Sequence, residues 1–147
     1  MRWALDFIVG FFGGPSGARD EVVHRFELEP ILDATIGSLS KGQRKRALLA
    51  MSFLTPQPLL LADEPFDGLD LRQTREAAAA LRAHAAGGRT LLLSIHQIAD
   101  AARICDRFVL LSGGRVCGEG TRRELSMLAG VDDAASSDLE EIFLALT

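Results

Sequence analysis

Several things are scarce in this chain of 147 residues. It has two cysteines, Cys105 and Cys117, too few for a disulfide framework and without metal-ligand spacing. Cys105 falls in register with Ile98, Ala101 and Ala102 on one helical face, which makes it a small core residue and is compatible with a reducing cytoplasm. No apolar run approaches the ~18 residues of a transmembrane helix, so work at a membrane requires a partner that crosses it. The formal charge of −4 excludes a global basic surface for nucleic acid, leaving only the local cluster Arg44-Lys45-Arg46. There is no internal repeat and no sustained heptad pattern. The start imitates an export signal, with Arg2 ahead of Trp3-Ala4-Leu5 and Phe7-Ile8-Val9 and small residues at Ser16-Gly17-Ala18. Asp6 interrupts that apolar run, so the segment is read as part of the fold. Hydrophobic content of 48% and charged content of 24% are those of a soluble globular protein, and the length suits one domain with a real core.

The informative stretch runs from Leu39 to Asp70. Ser40 stands three residues ahead of Gln43, the spacing of a capping box that opens a helix. Lys41 and Gly42 then occupy the first turn, where unpaired backbone N–H groups and the helix dipole favour an anion. Gly42 has no side chain, so a phosphate can approach the backbone there. Further on, Leu59-Leu60-Leu61-Ala62 closes on Asp63-Glu64. A continuous apolar run suits a strand of a parallel sheet buried on both faces. Ligands of such sheets gather at the carboxyl ends of the strands, where these two carboxylates fall. Together the helix start and the carboxylate pair predict a metal–phosphate site. Taken singly, each has a plainer reading: a capped helix, and a solvated strand end.

The stretch resembles the signature and Walker B motifs of ABC-type ATPases, followed by their D-loop, Gly68-Leu69-Asp70. Leu91-Leu92-Leu93-Ser94-Ile95-His96 is similar to the family's strand and switch histidine, and Asp106-Arg107-Phe108-Val109-Leu110-Leu111-Ser112-Gly113-Gly114-Arg115-Val116 to its hairpin. Four motifs in the family's order are far more specific than any one of them. The resemblance is closest to the ATPase subunits of bacterial exporters. It implies that Asp63 holds Mg²⁺ and that Glu64 is the general base polarising the attacking water. It implies also that His96 contacts the γ-phosphate and steadies the water and Glu64. By the same resemblance Leu39, Ser40, Lys41, Gly42 and Gln43 bind the γ-phosphate of ATP held by the opposite subunit, and Asp70 communicates between subunits. Lys41 replaces the glycine of the commonest pattern, and its charge is favourable beside phosphate. The implied partners are a second ATPase subunit and a transmembrane permease, with no nucleic acid, at the cytoplasmic face of the membrane.

The implied fold is α/β, a partial P-loop NTPase: a helical subdomain plus the C-terminal half of a mostly parallel sheet sandwiched by helices. Its expected parts are a helical subdomain at 1–57, the sheet half with a terminal hairpin at 58–120, and C-terminal helices at 121–147. Helices are predicted at 2–12 (Ala4, Phe7, Ile8, Phe11) and near 19–28 (Val22, Val23, Phe26). A helix at 41–54 would present Leu48, Met51 and Leu54, and one at 71–86 is Ala-rich. Most of the early aromatics, Trp3, Phe7, Phe11 and Phe12, are expected in the core. Strands are predicted at 59–63 and 90–95, and a short helix at 97–105. A hairpin turns at Gly113-Gly114, and a capping box at Thr121 and Glu124 opens a helix to about 129. Residues 132–138 read as a flexible link, and the last helix should dock through Leu139, Ile142, Phe143 and Leu146. His24 and His84 are expected on the surface.

One part of the family pattern is missing. A Walker A loop needs a Gly-rich backbone followed by Lys and Ser/Thr. The only lysines, Lys41 and Lys45, follow no glycine, and the run at 10–17 has no lysine. No Q-loop is recognisable either. The chain is therefore expected to be the later part of an ATPase, weak in ATP hydrolysis alone and prone to associate through open strand edges. Two alternatives stand beside this: a catalytically silent module donating a signature face, and a piece of a DNA-repair or chromosome-maintenance ATPase. The missing heptads weigh against the latter.

Overall fold

The Leu59–Asp63 run forms strand β1 and pairs in parallel with β2, Thr90–Ser94, so that Asp63 lies opposite Ser94. The computed structural model describes residues 1–131 and 138–147; positions 132–137 of the expected link lie outside the described residues. The chain divides into two units, Met1–Ser94 and Ile95–Thr147.

In the first unit, helices α1 (Arg2–Phe12), α2 (Ala18–Arg25) and α3 (Lys41–Phe53) precede β1, and α4 (Leu71–Ala86) makes the crossover to β2. The β–α–β order and parallel pairing agree with the expected α/β class. Helix α2 stops at Arg25, short of the predicted limit, because Glu27 turns to a positive φ of 50°. Its Val22, Val23 and the following Phe26 are buried as expected.

Three burial expectations fail in this unit. On α3 the buried residues are Ala47, Leu49, Ala50 and Phe53, with Leu54 at its end, while Leu48 faces solvent. The run Ala47-Leu48-Leu49-Ala50-Met51 is apolar on every side, so spacing could not choose the face. Packing chose the alanines, which let helices approach closely; α4 likewise buries Ala77 and Ala80. On α1 the buried residue is Leu5, while Trp3 (76% exposed), Phe7 and Phe11 (71%) point outward. Nor is β1 buried on both faces. Leu60 is buried, but Leu61 is 65% exposed and its register partner Leu92 is 62% exposed, leaving an open apolar face with Leu59.

In the second unit, α5 (Ile98–Ile104) is followed by the antiparallel strands β3 (Phe108–Ser112) and β4 (Arg115–Gly120). Gly113 and Gly114 both have positive φ, 55° and 74°, as a two-residue hairpin requires. Helix α6 (Arg122–Ala129) opens on the predicted capping box, Thr121 Oγ1 accepting from Glu124 N–H and Glu124 from Thr121 N–H. Helix α7 (Leu139–Leu146) docks by the predicted stripe: Leu139 and Ile142 are buried with Phe108, Leu110 and Leu125, and Phe143 and Leu146 pack around them. Cys105 packs against the same cluster, and burial raises its thiol pKa.

Candidate functional site

Two local structures set the site, and both belong to the first unit. At the start of α3, Ser40 Oγ accepts from Gln43 N–H at 3.2 Å, and the Gln43 side-chain oxygen accepts from Ser40 N–H at 2.9 Å. The reciprocal bonds leave the N–H groups of Lys41 and Gly42 in a first turn that no intrahelical carbonyl can reach. Leu39 is buried at this entry to the helix.

The second structure is the turn after β1. Asp63 ends the strand with its side chain exposed. Glu64 then adopts a left-handed φ of 46°, rare for a residue with a side chain and of order 1–3 kcal/mol in cost. Its surroundings hold it there. Glu64 N–H donates to Ser94 O at 2.9 Å, Asp67 N–H donates to Glu64 O at 3.1 Å, and Pro65 and Phe66 are buried beneath. Asp70 caps α4 in a second capping box with Gln73, the plainer of its two roles.

The structure joins these two pieces. Lys41 Nζ contacts both carboxylate oxygens of Asp67, at 2.8 and 2.7 Å. Lys45 Nζ donates to the Asp63 carbonyl oxygen at 3.2 Å. A Cβ on Gly42 would lie 2.5 Å from the Gly68 carbonyl oxygen, so it is the turn's backbone that comes close at Gly42 and that first demands a glycine there. The expectation that Gly42 is bare to admit a phosphate is therefore incomplete. Asp67 and Lys45 are site-building residues that motif reading missed, and Gly68 was read only as the start of the D-loop; Asp67-Gly68, a common turn pair, carried the local signal.

Behind the site, the Arg72 guanidinium holds the Glu27 carboxylate at 2.6 and 2.8 Å, which lowers the Glu27 pKa. Arg46 of α3 donates to the carbonyl oxygens of Phe26 and Glu27. Thus α3 and α4, the helices that begin at the two caps, are tied to the same bend. His96 is an exposed residue of the second unit, in the bend ahead of α5. His24 is on the surface as expected. His84 is not: its ring stacks on Phe53 at 4.2 Å, and burial foremost, then Arg89 and Arg25, lowers its pKa.

As a donor set, the described residues hold no group of three or more His, Cys, Asp or Glu able to enclose a metal ion. One exposed carboxylate at a strand tip suits Mg²⁺, which prefers one or two carboxylates and takes its other ligands from water and phosphate.

A family model for the ABC transporter matches residues 15–67, which include the start of α3 and the carboxylate pair Asp63-Glu64. The chain is similar to the ATP-binding subunits of ABC transporters. The daunorubicin resistance ATP-binding protein DrrA3 of Streptomyces coeruleorubidus is 37% identical over 113 residues, 77% of this chain and 36% of that protein. The thiamine import ATP-binding protein ThiQ of Salmonella typhimurium is 38% identical over 109 residues, 73% of this chain and 46% of that one. A solved ATP-binding subunit of an ABC transporter superposes with a TM-score of 0.84 at 29% identity, over 99% of this chain and 61% of that one. The chain thus spans under half the length of these two curated ABC relatives. It shares the P-loop NTPase fold class with the solved subunit. No helix among the described residues is long and apolar enough to cross a membrane.

Proposed function

We propose that this chain is the signature-and-Walker-B part of the ATP-hydrolysing subunit of an ABC-type exporter. In this reading the start of α3, Ser40 to Gln43, takes the γ-phosphate of ATP presented by a second ATPase subunit. Asp63 holds Mg²⁺, which when bound neutralises phosphate charge. Glu64 polarises and orients the attacking water as general base, from a left-handed backbone held by hydrogen bonds to Ser94 and Asp67. His96 steadies that water, and Asp70 sits at the subunit boundary. A transmembrane permease meets the helical part, 1–57, at the cytoplasmic face. Export, rather than import, rests on the resemblance of the motifs to exporter subunits, while the hairpin and docking helix that follow His96 favour a transporter over a DNA-repair ATPase.

One observation carries the reading: the anion-favouring helix start and the turn behind the carboxylate tip lie in contact, through Lys41–Asp67 and Gly42–Gly68. The test is Mg²⁺-dependent ATP turnover, by phosphate release, for the chain alone and mixed with an ABC subunit that carries a glycine-rich phosphate loop. Little turnover is expected alone. With such a phosphate loop supplied in the same chain as well, Glu64→Gln should lower kcat by about 10²–10⁴ while ATP still binds. Robust turnover by the chain alone, or a variant as fast as wild type, would sink it.

A second reading is a silent module that lends its signature face to another ATPase. The glycine run at 10–17, which has no lysine in it or directly behind it, favours it. In that case Glu64→Gln leaves the partner's turnover unchanged and only Ser40→Ala reduces it.

A further inference from the structure

The Lys41–Asp67 pair is the one feature of the site that the usual family pattern, with glycine at position 41, cannot form. Its geometry is specific: both carboxylate oxygens of Asp67 lie within 2.8 Å of the ammonium. The lysine stem crosses Gly68 on its way, close enough that a Cβ there would meet Lys41 Cγ at 3.1 Å. Yet the Lys41 side chain is 69% exposed, so its charge remains largely in water. An exposed pair of this kind holds weakly. It stands on a helix start that favours anions, and a terminal phosphate carries more negative charge than one carboxylate.

We propose that Lys41 and Asp67 form an exchangeable latch between the α3 start and the 65–70 turn. Without a nucleotide the ammonium rests on Asp67 and holds the turn against α3. When a terminal phosphate reaches the N–H groups of Lys41 and Gly42, the ammonium moves to it and the turn loses this one of its ties to α3, the Gly42–Gly68 contact remaining. The weakness of the ion pair is what makes the exchange feasible; a buried pair would hold the lysine back. Glu27–Arg72 and the Asp70 cap keep α4 in place, so the release is confined to the turn between β1 and α4. Lys41 thereby acts as a positioning residue, converting γ-phosphate binding into freedom of the turn that leads to Asp70. The inference rests on the reading of the α3 start as a phosphate site.

Isotope-labelled chain, mixed with an ABC subunit that carries a glycine-rich phosphate loop and titrated with ATP, or with ADP as control, tests it through the amide signals of Gly42 and of Asp67 to Leu69. Four proteins are compared: wild type, Lys41→Met (which keeps the stem over Gly68), Asp67→Asn and the double variant. In wild type, ATP should shift Gly42 and the turn together, and ADP should shift neither. Asp67→Asn should tighten ATP about two- to fivefold, the span of an exposed ion pair, because the competing carboxylate is gone. In the Lys41→Met background that gain should vanish, and ATP should no longer move the turn. An equal gain in both backgrounds overturns the latch, since it would reflect only the loss of a negative charge. So does an ATP response at Gly42 that is indifferent to Lys41; the wider reading would then survive. No response at Gly42 in any protein overturns both.

Discussion

Helices α1 and α7 carry similar apolar stripes and end differently. In α7 the stripe Leu139, Ile142, Phe143 and Leu146 docks on the cluster around Leu125. In α1, Leu5 is buried while Trp3, Phe7 and Phe11 form an exposed row, their rings stacked at 5.5 and 5.9 Å. The difference lies in what surrounds the stripe. Helix α7 has Glu140 and Glu141 on its other side, so only one face can be buried. Helix α1 is apolar nearly all round, interrupted by Asp6 and Gly10, and two faces compete. A 3.6-residue period identifies the helix but does not choose between two apolar faces.

The largest expected effect sharpens the α7 side. Ile142→Ala removes a fully buried side chain, and should cost about 2–5 kcal/mol of the second unit's stability by urea unfolding. A loss below about 1 kcal/mol would mean that α7 is held by its cap rather than its core.

Next comes the contact that builds the site. Gly42→Ala pushes a methyl group against the Gly68 carbonyl, so the turn or α3 must shift, at about 1–3 kcal/mol. Ser40→Ala, which deletes one half of the capping box, should cost about 1 kcal/mol. If Gly42→Ala proves the milder of the two, the helix start and the turn are less tightly joined than their geometry requires.

These two positions show how far the sequence could be read. The capping boxes at Ser40 and Thr121, the hairpin at Gly113-Gly114 and the extents of α1, α4 and β1 follow from local residue chemistry, and were legible. The outward face of α1, the alanine face of α3 and the half-open β1 depend on which neighbours cover them, and nothing local encodes that. The same holds at the site. Ser40-x-x-Gln43 announces a cap, whereas Lys41–Asp67 and Gly42–Gly68 join residues 26 positions apart. The left-handed Glu64 is likewise imposed by Ser94, from another strand.

A smaller effect concerns α3 and α4, which meet at the Phe53–His84 stack. Folded His84 binds its proton more weakly than a free imidazole, so protonation favours the unfolded chain. Its contribution is complete above the unfolded value, about pH 6.5, and is lost as the pH falls through the lower folded value. Thermal midpoints should therefore drop between pH 7 and 5. His84→Phe keeps the stacked ring without the titration and should flatten that part of the profile. An unchanged slope in the variant would assign the loss to other groups.

The smallest effect on stability belongs to α1, and it closes the comparison with α7. Phe7→Ser and Phe11→Ser replace side chains that already lie in water, so unfolding free energy should move by no more than about 0.5 kcal/mol. Self-association should respond far more. An exposed row of three aromatic rings is a sticky patch, and it adds to the open faces of β1–β2 and of the hairpin, where Val109, Leu111 and Val116 are exposed. The double variant should elute closer to the monomer volume in size-exclusion chromatography at equal concentration, with its unfolding midpoint preserved. If instead it unfolds as readily as Ile142→Ala, the aromatic row is supporting the fold after all, and α1 and α7 differ in degree rather than in kind.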